Sequence, residues 1–77
     1  MYITRLDQIT PDLTEIRTTR YFQESFVGFQ FSEKLQTLIL YNYNQSLIGV
    51  EFPETIQKIN LHYYSQSLID VIFPDSL

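Results

Sequence analysis

The chain has no cysteine and no tryptophan, and among its 77 residues only one histidine, two glycines and five basic residues. Without cysteine there is no disulfide to hold a small domain, no thiolate metal site and no thiol nucleophile. A single imidazole excludes a site built on several histidines of one chain. Five Lys and Arg against nine Asp and Glu leave a net charge of -4, and such a surface repels the phosphate backbone of a nucleic acid. No apolar run approaches the roughly twenty residues that span a bilayer as a helix, and Met1 to Thr10 lack the basic and apolar segments of a signal peptide. These absences point to a soluble cytoplasmic protein with no cofactor and no nucleic-acid or membrane partner.

What is present suffices for a folded core. Hydrophobic residues make up 44% of the chain, with six Tyr and six Phe, and charged residues only 18%, a balance that favours folding over disorder. The length allows one domain, and a domain of this size buries only about 60% of the surface its unfolded chain exposes.

Self-similarity sets the architecture. Shifted by 21 residues, Leu38 to Ile56 matches Ile59 to Leu77 at nine of nineteen positions, among them Leu40/Leu61, Tyr43/Tyr64, Leu47/Leu68, Phe52/Phe73 and Pro53/Pro74. The same shift backwards keeps Ser25/Ser46, Gly28/Gly49, Phe31/Phe52 and Glu33/Glu54, with Phe22 for Tyr43. Pro11, Leu13 and Ile16 resemble the tail of one more unit. The organisation expected is a single repeat domain over residues 1–77, with a partial repeat 1–16, repeats 17–37 and 38–58, and a truncated 59–77.

Within each unit Leu35, Leu38 and Leu40 return as Ile56, Ile59 and Leu61, and in weaker form as Leu13, Ile16 and Thr18. A second run, Leu47, Val50 and Phe52, returns as Leu68, Val71 and Phe73, and within it Ile48, Val50 and Phe52 alternate with Gly49 and Glu51, as Val27, Phe29 and Phe31 do with Gly28 and Gln30. A two-residue period predicts strands with one buried face. Turn-forming Asn, Ser and Pro lie between the runs. Thr10-Pro11-Asp12 also suits the start of a short helix, with Thr10 as its cap. One such unit cannot bury its own apolar side, so units stack, with Phe22, Tyr43 and Tyr64 in one aromatic column and Phe31, Phe52 and Phe73 in another. The fold expected is an all-β solenoid of about three repeats of 21–22 residues.

The run Tyr43-Asn44-Gln45-Ser46-Leu47, then Gly49, then Phe52-Pro53-Glu54-Thr55-Ile56, resembles the FNIP repeat, and Tyr64, Leu68, Phe73 and Pro74 repeat its skeleton. That family is related to leucine-rich repeats and is abundant in social amoebae and in giant viruses that infect amoebae. The resemblance implies a leucine-rich-repeat-like scaffold for protein interaction. Some members add an F-box, and none is expected in the roughly ten residues ahead of the first repeat. The motif asparagine stands at Asn44 but is Gln23 and Ser65 in the neighbouring copies, and Ser32 replaces the proline of the second unit. Asn44 itself is expected to bond neighbouring backbone in its turn.

No catalytic set emerges. His62 stands between Leu61 and Tyr63 on the outward side of an expected strand, and no serine or second histidine is spaced to build a triad or a metal site with it. Glu33, Glu54 and Asp75 recur every 21 residues, but as turn carboxylates facing water and not as a calcium row. A minimal hydrolase or metal-dependent enzyme therefore ranks below a non-enzymatic module. The candidate protein-binding surface is the outward side of the first strand of each unit: Arg17 and Thr19, then Thr37, Ile39 and Tyr41, then Lys58, Asn60 and His62. Gln30, Glu51 and Ile72 form a rival face. The last unit stops at Leu77 without a polar cap, so the open C-terminal edge is expected to fray or to self-associate. A vestigial fragment of a longer array, without function of its own, is the alternative reading.

Overall fold

The computed structural model of the protein describes residues 1–76; Leu77, which closes the last unit in the sequence reading, lies outside them. Its regular structure is almost entirely strand. Four short strands, β1 (Tyr2–Ile3), β2 (Glu15–Thr18), β3 (Thr37–Tyr41) and β4 (Lys58–His62), form one parallel sheet in chain order. The helical content is a single 3-10 turn at Leu6–Gln8.

The register follows the period of the sequence. Leu38 pairs with Ile59 and Leu40 with Leu61, while Ile16 pairs with Leu38 across the 22-residue step. Side chains alternate across a strand, so Ile16, Leu38 and Leu40 go inward and are buried, and Arg17, Ile39 and Tyr41 go outward. Thr18 holds the inward position beside Leu40. It is buried too, and its hydroxyl satisfies itself by accepting the Tyr41 N–H at 2.9 Å.

The second apolar run does not form strands. Phe29, Val50 and Val71 each donate their N–H to the carbonyl three residues back, on Phe26, Leu47 and Leu68. The third residue of each turn is left-handed, Gly28 at φ 79°, Gly49 at 85° and Asp70 at 68°. That conformation suits glycine, and aspartate tolerates it. A Cβ on Gly28 would meet nothing within 4 Å, so backbone conformation and not crowding fixes glycine there. Ser25, Ser46 and Ser67 each accept, at 3.1 Å, the N–H two residues on, which locks the entry to the turn. Consequently Val27, Ile48 and Ile69 point to solvent instead of lining a strand.

Further differences are local. Thr10-Pro11-Asp12 makes a turn and no helix: the Thr10 hydroxyl bonds Asp12 at 2.6 Å, and Leu13 N–H reaches the Thr10 carbonyl. That hydroxyl, helped by a backbone N–H, lowers the Asp12 pKa. Asn44 is exposed and its side chain makes no hydrogen bond among the described residues; the neighbouring turn is held by Ser46. The N-terminal strand β1 is not foreseen by the repeat. It pairs with β2 through Tyr2↔Arg17 and Ile3↔Thr18, and Ile3 is fully buried.

The core lies between the sheet and the turns. Phe22, Tyr43 and Tyr64 stack with ring centroids 6.1 and 6.4 Å apart, and Phe31, Phe52 and Phe73 stack at 6.3 and 5.7 Å. Phe26 sits between the two columns, 5.5 Å from Tyr43 and 5.2 Å from Phe31. Such pairs add about 0.5–1.5 kcal/mol each beyond the area they bury. Burial declines toward the last unit: Leu38, Leu40, Tyr43 and Leu47 are at most 1% exposed, whereas Ile59, Leu61 and Tyr64 are half-buried and Leu68 is 46% exposed.

Candidate functional site

The outward face of the sheet gathers the side chains singled out from the sequence. Parallel register places Arg17, Ile39 and Asn60 in one row, Thr37 beside Lys58, and Tyr41 beside His62. Thr19 follows β2 and is tied to β1 through its N–H on the Ile3 carbonyl at 3.0 Å. All eight candidates are partly or fully open to solvent. The inward columns Leu38–Ile59 and Leu40–Leu61 cannot offer such a face, because the same alternation that exposes Ile39 and Tyr41 buries Leu38 and Leu40.

Neighbouring residues complete the surface. Tyr2 enters the first row through its pairing with Arg17. The Arg17 guanidinium lies 5.6 Å from the Tyr2 ring centre, donates to the Tyr2 hydroxyl at 3.3 Å and pairs with the Glu15 carboxylate. These hydrogen bonds raise the Arg17 pKa, Glu15 contributing most. Arg20 repeats the arrangement one turn on: it donates to the Tyr21 hydroxyl at 2.9 Å and stands 5.1 Å from that ring centre. At the far side the Tyr41 ring meets His62 at 5.9 Å and the edge of Tyr63 at 5.6 Å. A shallow groove of about 460 Å³ runs between these groups, lined by Tyr2, Arg17, Arg20, Tyr21, Ile39, Tyr41 and His62 among others.

Tyr2, Arg20, Tyr21 and Tyr63 are the members that sequence reasoning missed. Tyr2 comes in on a strand outside the 21-residue period. Tyr63 is brought round by a left-handed backbone at φ 58°, matching Asn42 at 55° one unit earlier; the Asn42 position was the available signal.

The rest of the chemistry is sparse. His62 has Tyr41 beside it and no hydrogen-bonded carboxylate or hydroxyl among the described residues. No three Asp, Glu or His side chains converge as a metal site among the described residues. The rival residues Glu51 and Ile72 border a second groove with Gly49, Phe52 and Pro74. They sit on turns and extended segments, not on a strand face. No helix of the described residues is long and apolar enough to cross a membrane.

A parallel sheet whose neighbouring strands repeat one sequence pattern, backed by turns that repeat their hydrogen bonds, defines a repeat module. The FNIP repeat family model matches residues 43–77, so the family resemblance drawn from Tyr43 to Ile56 holds and this stretch is FNIP repeat sequence. No curated protein and no solved structure gives a match to the chain.

Proposed function

We propose that the chain is a short leucine-rich-repeat-like solenoid acting as a non-enzymatic protein-interaction module, and that its partner docks on the outward face of the sheet. One observation carries this reading: residues one repeat apart align across β2, β3 and β4 into a continuous solvent-facing surface, with Ile39 and Tyr41 at its centre. Stacked repeats present extended faces of this kind, and binding energy at protein interfaces concentrates on aromatic and arginine side chains. Tyr41 is 42% exposed and Tyr2 65%, and with Ile39 they line one groove, so their apolar surface is contiguous and not scattered.

The test is affinity capture from extract of the source cells, quantified by mass spectrometry and repeated with purified partner. Tyr41→Ala and Lys58→Ala are expected to weaken binding, Tyr41→Ala by roughly 30-fold if it is a central anchor, while Glu51→Ala on the rival face leaves it unchanged. Full retention by both face variants, or loss through Glu51→Ala, removes the sheet face as the site.

A further inference from the structure

The charges of the molecule are segregated. Arg17, Arg20 and Lys58, three of the five basic residues, belong to the outward sheet face or its rim, and Glu15 is the one carboxylate of nine that accompanies them. The remaining surface carries two basic residues, Arg5 and Lys34, against eight carboxylates, and Arg5 is already paired with Asp7 at 3.0 Å. An acidic molecule thus has one cationic face. Among the described residues, Arg20 and Lys58 have no carboxylate within 4.0 Å.

The two arginines are also held ready. Arg17 is fixed by Glu15 and the Tyr2 hydroxyl, Arg20 by the Tyr21 hydroxyl, each with its guanidinium against a tyrosine ring. A planar guanidinium held in this way keeps further N–H donors for a carboxylate, and less side-chain entropy is lost when one arrives. Between them the groove floor is apolar, with Ile39 and Tyr41.

From this segregation we propose that the outward face recognises an acidic peptide segment, with an aromatic or aliphatic side chain seated on Ile39 and Tyr41 and carboxylates meeting Arg17, Arg20 and Lys58. The inference rests on the proposed docking face and adds the chemistry of what docks there. Charge complementarity selects the occupant. A basic peptide meets like charge at the face, and a long polyanion such as single-stranded nucleic acid meets eight carboxylates as soon as it extends beyond three cations. A short acidic segment satisfies both conditions.

The experiment uses the 77-residue chain and a fluorescein-labelled pentapeptide, phenylalanine flanked by two glutamates on each side, followed by fluorescence anisotropy. Its lysine counterpart and a twelve-residue oligothymidylate serve as competitors of other chemistry. The glutamate peptide is expected to bind, the lysine peptide and the oligonucleotide to bind at least 10-fold more weakly, and the affinity to fall several-fold between 50 and 300 mM salt as screening grows. Arg20→Glu with Lys58→Glu, both at exposed positions, is expected to lower glutamate-peptide affinity at least 10-fold and to raise that of the lysine peptide, with an unchanged circular-dichroism spectrum. Preference for the lysine peptide or the oligonucleotide overturns the proposal, as does salt-independent binding in the parent chain, whatever the variant does. If Tyr41→Ala abolishes partner capture while the glutamate peptide stays inert, the docking face survives and the acidic partner does not. If the glutamate peptide binds equally well to Tyr41→Ala and to the charge-reversed chain, both readings fall.

Discussion

Tyr43 and Tyr64 occupy equivalent places one repeat apart and have different hydrogen bonding. The Tyr43 hydroxyl accepts the buried Phe26 N–H at 3.1 Å, whereas the Tyr64 hydroxyl is buried with no partner among the described residues. Removing an acceptor strands a buried donor, which costs about 1–3 kcal/mol, while removing an unpaired hydroxyl costs nothing and can stabilise. Urea unfolding is therefore expected to show Tyr43→Phe destabilised by about that amount and Tyr64→Phe neutral or slightly more stable; equal effects would remove the distinction. The same residue gives the protein an alkaline limit. Burial disfavours the Tyr43 phenolate and raises its pKa, so the folded chain holds this proton more tightly than the unfolded chain. That stabilisation is complete below the ordinary phenol value of about 10 and is lost as pH rises beyond it through the folded value. Unfolding midpoints followed from pH 8 to 11.5 should fall less steeply in Tyr43→Phe than in the parent.

At the scale of elements, a strand is as stable as the cover over its inward side chains. Leu40 on β3 is fully buried between β2 and β4, and Leu61, its partner on β4, is half-buried at the edge of the sheet. Leu→Ala at a closed core position costs about 2–5 kcal/mol, from lost transfer energy and the cavity left behind. Leu40→Ala is expected in that range and Leu61→Ala at roughly half of it, read from chemical denaturation. A larger loss at Leu61 would mean that β4 is covered in solution. Periodicity alone did not distinguish strand from turn here. Leu38 and Leu40 alternate with Ile39 in a real strand; Ile48 and Val50 alternate with Gly49 in a turn. The serine at the turn entry and the glycine at a left-handed φ outweigh the apolar alternation, because they give buried backbone groups partners without a neighbouring strand.

Across the whole molecule the buried residues form one cluster, from Ile3 through Ile16, Phe26 and Leu40 to Ile56, with Ile59, Leu61 and Val71 packed against it. No part of that cluster is isolated from the next, so the chain is expected to melt in a single cooperative transition, with calorimetric and van't Hoff enthalpies in agreement. A broad or stepwise melt would favour the vestigial-fragment reading over an independent module. Small size leaves little reserve: with a domain this short, one lost core side chain is a large share of total stability.

The sequence by itself determined the repeat period, the inward columns Leu38–Ile59 and Leu40–Leu61, the aromatic stacks of Phe31, Phe52 and Phe73, and the outward row from Arg17 to Asn60. All of these follow from residue spacing, because side-chain direction alternates along a strand and similar stretches 21–22 residues apart pair in register. Only the tertiary structure decided that Ile3 enters the sheet, that the second apolar run turns instead of extending, and that Tyr2, Arg20, Tyr21 and Tyr63 join the outward face. Tyr2 and Ile3 lie outside the period, and the turns and the Tyr63 position depend on local serine hydrogen bonds and left-handed backbone at Gly28, Gly49, Asp70 and Tyr63, which apolar spacing does not report.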